Sequence, residues 1–315
     1  MEYRQLGGSG VSVSRLGLGC VTFGREIDES AAFAVADRAL ERGITLFDTA
    51  DAYGGGASEA VLGKWIEARG IRDRVTICTK VGGPTSADPA DRGCAGARIR
   101  WNLDASLRRL RVDHVDLYLV HCWDAGVPPR ETLEALSEAV GLGKARAIGC
   151  SNYAGWQLCR MLWLAEVHDL RRMEVIQPPL SLALGRREFE TELRPLCLDQ
   201  GMGVMTYSPL GAGFLTGKYG RGDVIPAGAR FDVIPGHQPL YFSEVNFQIV
   251  EGLQRLAARE GVTVSTLAIA WVLHQPGVTT TLVGARSSAH IDQAITTLEF
   301  PMTDELLAEL GNLGR

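Results

Sequence analysis

The chain has 315 residues, 46% of them hydrophobic and 22% charged, with a net charge of −5. That is long for one domain, but a single α/β barrel takes ~250 residues plus insertions and buries a large core. The negative balance argues against a nucleic-acid or anionic-membrane surface, while leaving room for a local basic pocket that holds a phosphate. No apolar run reaches the ~18 residues of a membrane span, and the opening MEYRQLGGSG lacks the apolar core of a signal peptide. The seven cysteines are odd in number and none are at C-x-x-C spacing. That pattern fits reduced thiols in a cytoplasm, not a disulfide framework or a zinc site. The expectation is a cytoplasmic protein without nucleic-acid, membrane or metal partners.

Residues 1–13 read as a hairpin about Gly7-Gly8-Ser9-Gly10. One pattern then repeats: a short apolar run, a loop and a segment of helical period. The expected strands are 16–19, 45–48, 75–79, 115–120, 147–149, 175–177, 204–206 and 281–283. Leu103, Leu107 and Leu110 form one helical face between strands, and Leu133, Leu136 and Val140 form another. A third is Val264, Leu267, Ala268 and Trp271. Further helices are expected near 29–42, 57–69, 156–166, 188–200 and 288–297. Eight strands alternating with eight helices predict a (β/α)₈ barrel in one domain, 1–315. No strand is followed by G-x-G-x-x-G, the turn expected of an open dinucleotide-binding sheet. Outside the repeat lie the Gly- and Pro-rich segment 210–241 and two extra helices, at 243–260 and 303–312.

Barrel chemistry sits where the strands end. Strand two ends in Asp48, with Tyr53 in its loop. Strand three ends in Lys80, strand four in His121, strand five in Ser151-Asn152 and strand six in Gln177. Strand seven ends in Tyr207-Ser208, and strand eight runs into Gly284-Ala285-Arg286. Tyrosine, with a pKa of ~10, is a proton donor at neutral pH. A nearby Lys80 ammonium lowers that pKa and makes a better acid, and Asp48 keeps the lysine charged in a dry site. A neutral His121 hydrogen-bonds the oxygen that Tyr53 protonates. A carbonyl protonated on oxygen accepts a nucleophile on carbon. No Ser or Cys nucleophile with a base is evident, so a hydride from a cofactor is expected. The histidines lack the clustering a metal hydrolase needs.

These strings resemble the aldo-keto reductase superfamily along nearly the whole chain: LGGSGVSVSRLGLG, FDTADAYGGGASE, CTKVGG, DLYLVHCWD, GCSNY, VIQPPLSL, MTYSPLGAGFLTGKY and LVGAR. The branch is the one that holds bacterial aldo/keto reductases and potassium channel β subunits. The resemblance implies a barrel that binds extended NADP(H), with a tetrad of Asp48, Tyr53, Lys80 and His121. It implies that Ser151, Asn152 and Gln177 hold the nicotinamide carboxamide and that Tyr207 stacks under the ring. Ser208, Leu210 and Gly211 would approach the pyrophosphate and Lys218 would close over it. Arg286 and Arg230 are the expected partners of the 2′-phosphate, with Gly284 and His290 completing the cofactor residues. In the channel-like branch the segment after strand eight ends in Gln, then Glu-Asn; here those places hold His290, Gln293 and Ala294. Phe23 and Trp123 are expected to wall the substrate site. The implied activity is NADPH-dependent reduction of a small aldehyde or ketone. The alternatives are a cofactor-binding regulatory subunit with little turnover, or a reductase specialised for a sugar or sugar-nucleotide ketone. Nothing in the sequence sets an oligomeric state.

Overall fold

In the computed structural model, which describes residues 1–88 and 91–314, strands β1 (Tyr3–Gln5) and β2 (Ser12–Ser14) pair antiparallel, with Tyr3 opposite Ser14. Their turn contains Gly7 at φ +58, where a Cβ would lie 2.4 Å from the Gly203 nitrogen. Only glycine allows both that conformation and that approach. The hairpin therefore presses onto the start of the barrel. Its Leu6, Val11 and Val13 join Leu46, Cys78, Leu117, Leu119, Val175, Met205 and Leu282 in an apolar cluster inside the barrel.

Among the described residues, eight parallel strands close the barrel. They are β3 (Leu16–Gly19), β4 (Leu46–Asp48), β5 (Thr76–Val81), β6 (Val115–Val120), β7 (Ala145–Ser151), β8 (Met173–Gln177), β9 (Gly203–Thr206) and β10 (Thr280–Gly284). β10 returns to β3 and completes the ring. The expected fold is thus present, with its hairpin and both extra helices, Glu244–Glu260 and Asp304–Asn312. Helix starts follow their caps: Asp28, Ser243, Thr263 and Thr303 each accept a first-turn N–H. A larger core, with Trp65, Trp271, Phe47 and Phe189, fills the layer between strands and helices. No single helix among the described residues is long and apolar enough to cross a membrane.

Two expectations change. β5 runs on to Val81, so Lys80 lies inside the strand rather than just beyond it. The helix expected at 188–200 is interrupted by a π turn at Phe189–Leu193, between Arg186–Glu188 and Arg194–Asp199. Pro195 has no N–H to bond four residues back, so the ladder slips by one position ahead of it.

The loop after β4 is stitched to its neighbours. The Thr49 N–H donates to the Cys78 carbonyl at 2.8 Å, and the Asp51 N–H donates to the Lys80 carbonyl at 3.1 Å. The Ser58 hydroxyl donates to the Cys20 carbonyl at 2.7 Å. The Asp51 side chain is buried. Asn102 donates to its Oδ2 at 2.8 Å, while its Oδ1 has no partner among the described residues. Burial, then the nearby Glu59 carboxylate, push its pKa up to about 7 against the pull of Arg109 and Arg98. An unfolded Asp ionises near ~3.9. The folded chain therefore holds a proton there that the unfolded chain has lost, and stability falls as pH rises from ~4 to ~7. Asp51→Asn is expected to gain about 2 kcal/mol on the wild type between pH 5 and pH 8, read as denaturant midpoints at each pH. An equal gap at both would refute this.

Candidate active site

Successive side chains of a strand alternate between faces, and that alternation places the site. The inward apolar layer includes Leu46, Cys78, Leu119, Val175 and Met205. Two residues further along each strand stand Asp48, Lys80, His121, Gln177 and Tyr207. The polar rim is the next inward layer above the apolar one. Asp48 and Lys80 are buried, at 2% and 0% exposure.

The Lys80 ammonium donates to Asp48 Oδ2 at 2.6 Å, to the Thr49 carbonyl at 2.9 Å and to the Tyr53 hydroxyl at 3.2 Å. Gln177 Nε2 donates to the other Asp48 oxygen at 2.8 Å. Tyr53 opens a tight turn, Tyr53–Gly56, in which Gly54, Gly55 and Gly56 all have positive φ, at +61, +62 and +93. Three such residues in a row need glycine. The turn holds Tyr53 over the barrel end and lets the helix Ala57–Arg69 start at once. The His121 ring meets the Tyr53 ring edge-on, with centroids 5.7 Å apart at 75°. The four residues expected to form the tetrad are gathered.

Burial works against the Lys80 charge, but the Asp48 carboxylate, with Tyr53, holds its pKa above the usual range. Burial raises the Tyr53 pKa, and the opposing pull of Lys80 is smaller. The sequence reading had the direction of the lysine's effect, but desolvation outweighs it. His121 is pushed down to about 3 by burial and then by Lys80. It is a neutral imidazole, with a buried Nδ1 that has no hydrogen-bond partner among the described residues.

Ser151, Asn152, Gln177 and Tyr207 form one net beside the tetrad. The Ser151 hydroxyl donates to the Gln177 carbonyl at 2.8 Å. Asn152 donates to the His121 carbonyl at 2.9 Å and accepts from the Tyr207 hydroxyl at 2.7 Å. Asn152 and Ser208 hold left-handed backbones, φ +57 and +58, which costs a non-glycine residue ~1 kcal/mol or more. Beyond half-buried Leu210 the chain turns through Gly211, Ala212 and Gly213, all at positive φ. Lys218 follows, exposed, its Nζ 3.6 Å from where a Gly213 Cβ would stand. Burial and then the Arg286 charge lower the Lys218 pKa, and burial, Arg286 and Lys218 lower that of His290. Arg286 donates to the Gly228 carbonyl at 2.8 Å, and its N–H donates to His290 Nδ1 at 3.3 Å. Gly284 ends β10 exposed, with open space where a Cβ would be.

Two expected site residues are placed otherwise. Arg230 donates to Glu26 Oε1 at 2.7 Å, and Glu26 is also held by Arg25 at 2.6 Å. Its charge is thus spent on tying segment 210–241 to the loop after β3, rather than left free for a phosphate. Phe23 is 1% exposed and packed in the outer core, so its ring has no free face toward a substrate. Trp123 is half-buried and meets Tyr153 and Trp156 edge-on, at 5.2 and 5.5 Å. The sequence reading passed over Trp156 and Glu26. A tryptophan in the first turn of a helix that begins at the rim was the available signal for the first. Glu26 carried none, because its partner lies 204 residues away.

The family model described as Aldo/keto reductase family matches residues 15–314. The chain is 36% identical to the "Uncharacterized oxidoreductase YrpG" of Bacillus subtilis, over 99% of this chain and 96% of that protein. It is 36% identical to the "Aldo-keto reductase YhdN" of the same organism, over 93% and 87%. It is also 35% identical to a "Probable voltage-gated potassium channel subunit beta" of Arabidopsis thaliana, over 93% and 90%. With the family's sequence pattern covering almost all of it, and the eight-stranded barrel carrying that pattern, this chain belongs to the aldo/keto reductase family.

Proposed function

We propose that the protein is an NADPH-dependent reductase of aldehydes or ketones, with Tyr53 as the general acid. The observation that carries this is the 3.2 Å contact from the Lys80 ammonium to the Tyr53 hydroxyl, beside a neutral His121. The residues fit the cofactor. Ser151, Asn152 and Gln177 offer amide and hydroxyl groups suited to a carboxamide. The positive-φ turn at 211–213 is closed on itself, the Gly211 and Gly213 N–H groups donating to the Ser208 and Leu210 carbonyls at 2.9 and 3.0 Å, and it stands beside the Lys218 ammonium. Burial and then the Arg286 charge lower the Lys218 pKa, and neither cation has an acidic partner among the described residues, an arrangement that an anion would relieve.

Bound NADPH would supply the hydride to the carbonyl carbon. The chain's own task is then the carbonyl oxygen. Tyr53 gives it a proton, and the Lys80 ammonium stabilises the phenolate left behind. Asp48 keeps Lys80 charged and in place, and Gln177 fixes the carboxylate. His121 donates a hydrogen bond to the same oxygen and, being neutral, adds no charge there. Trp123, Tyr153 and Trp156 would form an aromatic side to the substrate site. Work in the cytoplasm is consistent with seven unpaired cysteines. The likeness to a channel β subunit favours a second reading, a cofactor-binding regulatory protein. The complete tetrad favours turnover.

Tyr53→Phe is expected to lower kcat by roughly 10²–10⁴-fold and to leave NADPH affinity within a few-fold. A near-normal kcat would remove Tyr53 as the acid. With His121 neutral down to about pH 3, kcat should show no limb near the ordinary histidine pKa of ~6.5. A limb there that disappears in His121→Asn would show that the imidazole titrates during turnover. Arg286→Ala should weaken NADPH far more than NADH; equal losses would place the 2′-phosphate elsewhere. Tight NADPH binding with no oxidation by any of a panel of aldehydes and ketones would support the regulatory reading.

A further inference from the structure

Segment 210–241 and the loop after β3 both leave strands at the rim, on the two sides of β10. They meet over one acid. The Glu26 side chain is only 5% exposed, and Arg25 grips it with Nε on Oε2 and Nη2 on Oε1, both at 2.6 Å. Arg230 Nη1 adds a bond to Oε1 at 2.7 Å. Arg230 and Glu26 sum to zero as a pair, so the second guanidinium leaves the group one positive charge. His237 is a third base beside them: burial, then Arg230 and Arg25, lower its pKa.

That charge stands at the reacting end. The loop carrying Arg25 abuts the turn of Tyr53: a Cβ on Gly24 would stand 3.1 Å from the Ala57 Cβ, and Ala57 follows that turn directly. Arg230, whose pKa burial and then Arg25 lower, is also within the field of Tyr53. Lys80 and Asp48 sum to zero and His121 is neutral. The tetrad itself therefore shows a substrate no net charge, and the Arg25–Glu26–Arg230 group supplies one. Pairing takes up the charge of Arg230 but only one of its N–H groups. Among the described residues no acceptor meets its Nε or Nη2, and both atoms are open to solvent. A guanidinium with free donors and an unbalanced charge beside it is matched to carboxylate or phosphate oxygens.

We propose that the substrate carries a carboxylate or phosphate apart from its carbonyl, and that Arg25 and Arg230, held together on Glu26, bind that anion beside Tyr53. The carbonyl half of this substrate rests on the reductase reading. The anionic half rests on the Arg25–Glu26–Arg230 group alone.

Alcohols, the products of such a reductase, probe the subsite without turnover. In calorimetric titration of the NADP⁺-loaded full chain at low salt, para-(hydroxymethyl)benzoate should bind roughly tenfold or more tightly than its neutral methyl ester. Hydroxyethyl phosphate against ethylene glycol repeats the comparison for a phosphate. Arg25→Met leaves Glu26 paired with Arg230 and should remove most of the preference for the anion, while the ester and NADPH stay within about twofold. Arg25→Lys should keep most of it. Glu26→Gln takes away the one negative charge of the group and should widen the preference, which loss of a purely structural contact would not do. Unchanged thermal midpoints will show that the variants fold. No preference for the anion in either pair, or a preference that survives Arg25→Met, would overturn the proposal. So would a loss of NADPH affinity in Arg25→Met as large as that of the anion, since these cations would then belong to the cofactor. Anion-selective binding with no oxidation of NADPH by para-formylbenzoate would support the subsite and sink the reductase reading.

Discussion

Lys80 is fully buried, and an ammonium there would give up its proton without a partner. Removing an ion from water costs several kcal/mol even after relaxation. Asp48, at 2.6 Å, meets that cost, and the Thr49 carbonyl and Tyr53 hydroxyl take up the other ammonium hydrogens. The carboxylate is itself occupied on its second oxygen by Gln177, from the far side of the barrel. Three strands and one loop therefore converge on a single buried charge. The cation fixes the position of the Tyr53 hydroxyl, and the same burial, helped by the Lys80 charge, keeps His121 neutral; at Tyr53 that burial raises the affinity for the proton against the pull of Lys80.

The barrel makes this convergence inexpensive. Inward side chains recur every second residue, and the strand ends lie close around the axis, so one polar residue at the same depth on each strand suffices. Below that layer the lumen is filled by aliphatic side chains and plugged by the hairpin. Water is thereby kept from the site's floor, which is why desolvation outweighs the lysine's field in setting the Tyr53 pKa.

Around the rim the loops divide two tasks. The turn 53–56 is shaped by its left-handed glycines, and the net of Ser151, Asn152 and Tyr207 is held by hydrogen bonds of 2.7, 2.8 and 2.9 Å. The 210–241 segment is secured differently. Phe214, Tyr219, Phe231, Tyr241, Phe242 and Phe247 make a chain of ring contacts beneath it, and the Arg230–Glu26 pair ties it across to the loop after β3. This gives the longest irregular stretch a small core of its own.

By itself the sequence determined the alternation of strand and helix, the number of strands and most of the polar residues at the rim, though β5 runs one residue past Lys80. These are local signals: periodicity, caps and turn glycines are written within a few residues of where they act. The same holds for the gathering of Asp48, Lys80 and His121, since a barrel brings equivalent strand positions together whatever the distance along the chain. Tertiary structure decided what depends on a distant neighbour. It buried Phe23 in the core and gave Arg230 to Glu26. It set the balance of desolvation against charge at Tyr53, and it let Pro195 break a helix by a π turn rather than end it. It also decided which face of the helix Gly155–Val167 is left open. The apolar residues on both sides of that helix look alike in the sequence, and only packing against the barrel shows which of them remain without a partner.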